Sequence, residues 1–179
     1  RDGSTIGADV VERWGRSLDR GADILELACG GGIPVTRTLA DLGLHIRAVD
    51  SSPTLLAEFR NRFPGIAVQC ARVQDSDFFG RTFDAVAGIG LLFLLAEDEQ
   101  AALIRRVAGL LVPGGRFLFT APVEAGRWED SITGNACVSL GDRRYEAELA
   151  KSGLRVHGRY EDAGQNHYYD AQKTTRDSS

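Results

Sequence analysis

The sequence has no methionine, three cysteines, five prolines and two tryptophans in 179 residues, and only two lysines beside nineteen arginines. Cys29, Cys70 and Cys137 are too few and too scattered for a disulfide framework or a CxxC metal site. A reducing, cytoplasmic setting is therefore expected. The shortage of lysine reads as a genomic base-composition bias rather than as chemistry. With no methionine and Arg1 first, the native start is expected to be missing from the sequence, which bounds any statement about targeting. Long apolar runs are also absent. The longest, from Gly88 to Ala96, falls far short of the ~18 to 20 residues that cross a bilayer, so no membrane partner is expected. Positive charge is in deficit, with Lys+Arg at 21 against Asp+Glu at 25. A net charge of -4 argues against tight, sequence-independent adhesion to phosphates, and no nucleic-acid partner is expected.

What is present describes one globular domain over residues 1–179. Hydrophobic residues make up 43% of the chain, and a domain of about 150 residues buries roughly 68 to 70% of its unfolded surface without needing staples. Short apolar runs alternate with amphipathic stretches, the pattern of repeated βα units. Ile6, Val10, Val11, Trp14 and Leu18 recur at helical spacing, making residues 1–22 a helical cap. Strands are expected at Asp23 to Ala28, His45 to Val49, Ile66 to Cys70, Phe83 to Ile89 and Arg116 to Ala121, and two more at Leu154 to Tyr160 and His167 to Ala171. Helices fall between them at Val35 to Leu42, from Ser52-Pro53 to Phe63, Glu97 to Leu111 and Leu140 to Ser152. The stretch from Pro122 to Ser139 shows no period and is expected to be a loop. Thr174 to Ser179 should fray.

The chemistry concentrates at Leu25-Glu26-Leu27-Ala28-Cys29-Gly30-Gly31-Gly32, after a strand and before a helix. Glycine lets a backbone turn tightly and approach a ligand closely, and the following helix offers free N–H groups. Asp50, at the tip of the next strand, is placed to accept hydrogen bonds from two ribose hydroxyls. A dinucleotide fingerprint has an acidic residue at a similar distance, but GxGxxG laid on Gly30 and Gly32 would need glycine where Val35 stands.

Glu26-x-Ala28-x-Gly30-x-Gly32 resembles motif I of the class I S-adenosylmethionine-dependent methyltransferases. Asp50 matches that family's acidic residue after the second strand, Thr82-Phe83-Asp84-Ala85-Val86 its fourth strand, and Leu111-Val112-Pro113-Gly114-Gly115 its turn into the fifth. The whole chain also resembles a bacterial branch of small stand-alone methyltransferases, through Arg1-Asp2-Gly3-Ser4-x-Ile6-Gly7-Ala8, Phe78-Phe79-Gly80-Arg81-Thr82-Phe83-Asp84 and Asn166-His167-Tyr168-Tyr169-Asp170. The resemblance implies an α/β fold: a Rossmann-like, seven-stranded, mostly parallel sheet with strand seven antiparallel, in a three-layer αβα sandwich. It implies S-adenosyl-L-methionine as cofactor. Gly30 and Gly32 would then pass beneath the ribose and methionine part, Glu26 would orient the loop and the ammonium group, and Asp50 would hold the ribose. Ala28 and Cys29 belong to the same turn, with Ala28 replacing the usual first glycine. Ser51 would lie against the adenine, Val73 would offer its backbone N–H to the ring, and Gln74 or Asp75 would replace the family's usual carboxylate. Gly88 and Ile89, with Gly90, would leave room for the methionine end and the acceptor.

Each assignment has a plainer competitor. The glycines could form a mere turn, Asp50 could cap the next helix, and Glu26 could only brace the loop. Trp128 is either an aromatic wall of the acceptor site or an anchor for its loop. His167 is tempting as a base, but packing is the job expected of the cluster at Tyr168 and Tyr169, which alternation puts on opposite faces. His45 and His157 have no partner at ligand spacing, so no metal site is expected. Arg1 to Ile6 could fold over the cofactor as a lid, and Arg105-Arg106 and Arg143-Arg144 read as solvated helix faces. The expected activity is in-line methyl transfer to an O, N or C atom of a small molecule, with acceptor choice resting on the segment before Asp23 and the 122–139 loop. A homodimer is compatible with this reading. The competing activities are cofactor binding without transfer and a nicotinamide-dependent oxidoreductase.

Overall fold

The computed structural model describes residues 4–175. Strands β1 (Asp23–Leu27), β2 (His45–Asp50), β3 (Ala67–Cys70), β4 (Phe83–Gly88) and β5 (Leu111–Thr120) alternate with helices. Helix α1 (Ala8–Arg16) precedes β1, and α2 (Val35–Asp41), α3 (Pro53–Arg62) and α4 (Glu97–Leu110) fill later crossovers. A hairpin of β6 (Gly126–Glu129) and β7 (Ala136–Ser139), helix α5 (Asp142–Lys151), β8 (Leu154–Glu161) and β9 (His167–Lys173) complete the chain.

Seven strands form one sheet in the order β3-β2-β1-β4-β5-β9-β8. The first five pair in parallel, and β9 runs antiparallel to both β5 and β8. The expected topology is thus present, its sixth and seventh strands being β8 and β9. Alternating residues feed two cores. Leu25, Val86, Phe117, Phe119 and Tyr169 pack with Ile104 and Val107 of α4 and Tyr145 of α5. Ile24, Ala85, Ala87, Leu118 and Tyr168 face the other way, onto Val10, Val11 and Trp14 of α1 and Leu39 of α2. Alternation thus does divide Tyr168 from Tyr169.

Local chemistry explains the boundaries. Ser52 caps α3, its side chain accepting from Leu55 N at 3.2 Å, and Pro53 occupies the first turn. Glu97, Asp98 and Glu99 lie at the positive end of α4. Helix α1 starts two residues later than its apolar pattern because Gly7 turns the chain at φ 88°, with a backbone so close to β9 that a Cβ would lie 2.3 Å from the Tyr168 hydroxyl. Among the described residues, no helix is long and apolar enough to cross a membrane.

Two expectations are corrected. The stretch 122–139 is not a loop: Gly126 to Glu129 pairs antiparallel with Ala136 to Ser139. All four residues of β6 are exposed, so no apolar alternation marks the strand, and tertiary bonds hold the hairpin instead. The buried Gln100 side chain donates to Leu95 O and Val138 O at 3.0 and 2.8 Å and accepts from the Tyr145 hydroxyl at 2.7 Å, tying β7 to α4 and α5. Arg106 is likewise no solvated residue, because it donates to Val73 O and Ser76 O and stacks 4.2 Å from the Phe78 ring centroid.

Asp170 of β9 is wholly buried and accepts from Trp14 Nε1 at 3.2 Å and Arg116 Nε at 2.9 Å, joining α1, β5 and β9. Replacing it by alanine leaves a shielded guanidinium and an indole N–H without their acceptor. Asp170→Ala should cost ~3 to 5 kcal/mol in urea unfolding, the range for breaking one side of a buried ion pair. A loss within a few tenths of a kcal/mol would show that the charge is not needed there.

Candidate active site

The carboxyl ends of β1 to β5 converge at one edge of the sheet, where open α/β folds bind ligands beside a change in strand order. Strand β1 sits at that change, paired with β2 on one side and β4 on the other. The turn leaving it is anchored to the tip of β2 by two bonds. Cys29 N donates to Val49 O at 3.2 Å, and Gly30 N donates to the Asp50 carboxylate at 2.8 Å. The other Asp50 oxygen accepts Ser52 N at 2.8 Å. Asp50 is therefore not the cap of α3, a role Ser52 fills, and each of its oxygens retains a lone pair for a further donor.

The glycines divide their work. Gly30 takes φ 55°, and a Cβ there would meet nothing nearer than Leu55 Cδ1 at 3.8 Å. Its outer side is open. Gly32 takes φ 88°, and a Cβ added to it would lie only 2.4 Å from Phe63 Cε2, so packing against α3 already demands glycine. Ala28 adopts φ 55° despite its Cβ, a conformation that costs an L-residue about 1 to 2 kcal/mol.

Glu26 is 2% exposed, and Thr36 Oγ1 of α2 lies 2.6 Å from each carboxyl oxygen. Burial, opposed by the Thr36 hydrogen bond and assisted by the Asp50 charge, pushes its pKa up to about 8. A cation brought against it would be attracted and would favour the ionised form. The neighbouring Cys29 thiol is driven far up by burial and by the charges of Glu26 and Asp50, which makes it a poor nucleophile.

Beyond this turn lies a cavity of about 780 Å³, within the range of small-molecule sites. It brings together Glu26, Ala28, Cys29, Ile89, Trp128 and His167 of the expected residues. Trp128 lines the cavity and packs on Phe93, ring centroids 5.9 Å apart. His167, at the start of β9, lies with Nδ1 3.9 Å from Glu161 Oε2. Ser4 and Ile6 reach the wall, whereas Arg1 to Gly3 of the expected lid lie outside the described residues.

Gly30, Gly32, Asp50, Ser51, Val73, Gln74 and Gly88 do not line this cavity. Gly30 adjoins the lining residue Cys29 and is held by Asp50. Val73 is buried with its carbonyl held by Arg106 at 2.8 Å, and the exposed Gln74 amide donates to Glu99 at 3.3 Å. Asp75 is engaged by Arg72 at 2.9 Å. Gly88 is buried, and its added Cβ would find only ordinary contacts from 3.7 Å outward. Sequence reasoning missed a third wall, the turn between β8 and β9. There Asp162 accepts from the Tyr168 hydroxyl at 2.7 Å, Gly164 N at 2.9 Å and Asn166 N at 3.0 Å. The only advance signal was polar turn residues followed by Asn166-His167-Tyr168. Among the described residues, no group of three or more His, Cys, Asp or Glu is arranged to hold a metal ion.

The Glu26 carboxyl stays protonated in the folded protein up to about 8 but ionises from 4.5 when unfolded. Between those values the folded state binds more protons, so stability should fall as pH rises, by up to ~1.4 kcal/mol per pH unit. Glu26→Gln removes this slope. The variant should match the parent near pH 4 and exceed it in urea midpoint near pH 7.5, and equal midpoints at both would refute the raised pKa.

A family model described as a methyltransferase domain matches residues 24–115. No curated protein sequence matches the chain. Similar solved structures include the glycopeptide N-methyltransferase MtfA, at 20% identity and TM-score 0.76 over 94% of this chain and 95% of that one. The amino pentose methyltransferase CalS10 of Micromonospora echinaspora is 20% identical at TM-score 0.74 over 94% and 90%. The methyltransferase CcbJ of Streptomyces caelestis is 18% identical at TM-score 0.75, again over 94% and 90%. With its sheet order, glycine turn and matched segment together, the chain belongs to the methyltransferase-domain family and has the fold of the class I S-adenosylmethionine-dependent enzymes.

Proposed function

We propose that this enzyme transfers the methyl group of S-adenosylmethionine to a small molecule held in the cavity of about 780 Å³. One observation carries the reading: the turn after β1 and the hairpin, with the β8–β9 turn, line the same cavity. The methionine end of the cofactor and the acceptor would thus meet in a single chamber, with the ribose outside it beside Asp50. The residues fit the cofactor. Gly30 has a positive φ and an open side, Asp50 keeps free lone pairs beside it, and Glu26 is a buried carboxyl at the chamber wall. A protein of similar fold named as an amino pentose methyltransferase supports a small acceptor.

S-adenosylmethionine supplies an electrophilic methyl group on a sulfonium. Asp50 would accept from the ribose hydroxyls, and Gly30 would allow the sugar to lie against the backbone. Glu26, neutral when alone, would ionise against the ammonium group and hold it. Ile89 and Gly90, at the end of β4, would set the far side of the chamber. Alignment of this kind can contribute up to ~7 to 11 kcal/mol to a displacement. Where the acceptor carries a proton, His167 or water would take it.

Asp50→Ala should weaken binding of S-adenosylhomocysteine by roughly 1.5 to 3 kcal/mol, the range for hydrogen bonds to a charged group, read by calorimetric titration. Unchanged affinity would place the ribose elsewhere. Transfer of labelled methyl groups to a broad set of small metabolites tests the activity. Cofactor binding with persistent silence across such sets would favour a binding protein without transferase action.

A further inference from the structure

Glu26 reaches the cavity wall with only 2% of its surface exposed. Among the described residues no basic side chain pairs with its carboxyl, whose hydrogen-bond partner is Thr36 of α2. Thr36 Oγ1 lies 2.6 Å from both carboxyl oxygens. A hydroxyl has one hydrogen to give. Two contacts of hydrogen-bond length are therefore best served when the carboxyl carries a proton of its own and donates it to Oγ1.

The surroundings favour that neutral form. Burial is the larger obstacle to ionisation, and the Asp50 carboxylate of β2 adds to it. The residues paired with Glu26 on β2 and β4, Ala48 and Ala87, bring no charge. The neighbouring Cys29 thiol is itself driven up by burial, and Asp130, Asp162, His167 and Tyr168 are the other titratable groups of the cavity lining. A carboxylate buried without a cation is costly, and a positive group set against it reverses the balance.

Resting on the reading above, we propose that Glu26 carries a proton in the free protein and releases it to solvent on meeting the ammonium group of the cofactor, so that cofactor binding expels one proton. The carboxyl O–H bond breaks, its electron pair stays on oxygen, and the proton passes to water or buffer. The ammonium group keeps its own hydrogens and pairs with the carboxylate formed. Thr36 sets the threshold, since its hydroxyl can turn to donate to the ionised carboxyl and so opposes the effect of burial. The bound state holds fewer protons than the free one, so binding tightens as pH rises and levels off above about 8.

The experiment titrates the whole chain with S-adenosylhomocysteine and, separately, with 5′-methylthioadenosine, which keeps the adenosine and the sulfur but has no ammonium group. Calorimetry in buffers of different ionisation enthalpy counts the protons released. Near pH 6.5, S-adenosylhomocysteine should release about one proton per ligand bound, and its affinity should rise by up to about ten-fold per pH unit below the plateau. Methylthioadenosine should bind with no release and a flat profile over the same range. Glu26→Gln should abolish the release and flatten the S-adenosylhomocysteine profile, and Thr36→Val, which removes the hydroxyl, should move the plateau to higher pH. No proton released by the parent protein, an equal release with methylthioadenosine, or a release that survives in folded Glu26→Gln would each overturn the proposal. Failure of both ligands to bind at any pH would strike the cofactor reading, and the proposal with it.

Discussion

The structure depends on the parallel pairing of β1 with β2 on one side and β4 on the other. Parallel neighbours need crossovers, and each crossover returns the chain so that the strands' carboxyl ends share one edge. At the edge above β1 the connections leave in opposite directions, and the backbone turn through Ala28 to Gly32 fills the gap. Two hydrogen bonds, from Cys29 N to Val49 O and from Gly30 N to Asp50, tie the tips of two neighbouring strands and thereby shape that turn. Asp50 thus braces the turn, and each of its oxygens keeps a lone pair for a further donor.

Electrostatics of the chamber follow from burial rather than from net charge. The molecule's -4 says little about a site, but burying Glu26 behind the sheet edge raises its pKa against the opposing Thr36 hydrogen bond, and a bound cation would lower it again. Asp162 shows the opposite balance. Burial alone would raise it, yet the Tyr168 hydroxyl and the donors of Asn166 and Gly164 outweigh that and hold it below the usual carboxylate value. Two buried carboxyls in one cavity therefore differ in charge because one has a single hydroxyl partner and the other is ringed by donors.

Much of the architecture was legible because period and punctuation carry it. The runs at Leu25, Val49 and Val86 are hydrophobic on both faces, as strands buried between two helix layers must be, and Ser52-Pro53, Gly43 and Gly153 mark helix ends by their own chemistry. The hairpin at 126–139 was not legible. Its first strand exposes every side chain, and what orders it is Gln100, a residue of the distant helix α4. Arg106 misled for the same reason: an arginine beside another on a helix looks solvated until Val73, Ser76 and Phe78 are brought under it.

Sequence by itself determined the order of elements, the glycine turn, the positions of Glu26 and Asp50 and hence the family, because those signals are local: spacing, turn residues and strand ends. Only the tertiary structure decided which residues share a chamber. It separated Gly32, fixed by packing on Phe63, from Gly30 with its open outer side, and brought Asp162 and His167 into one cavity with Ala28 and Cys29. Residues far apart in the chain meet there because β9 enters the sheet antiparallel beside β5, so that its first residues, rather than its last, reach the working edge.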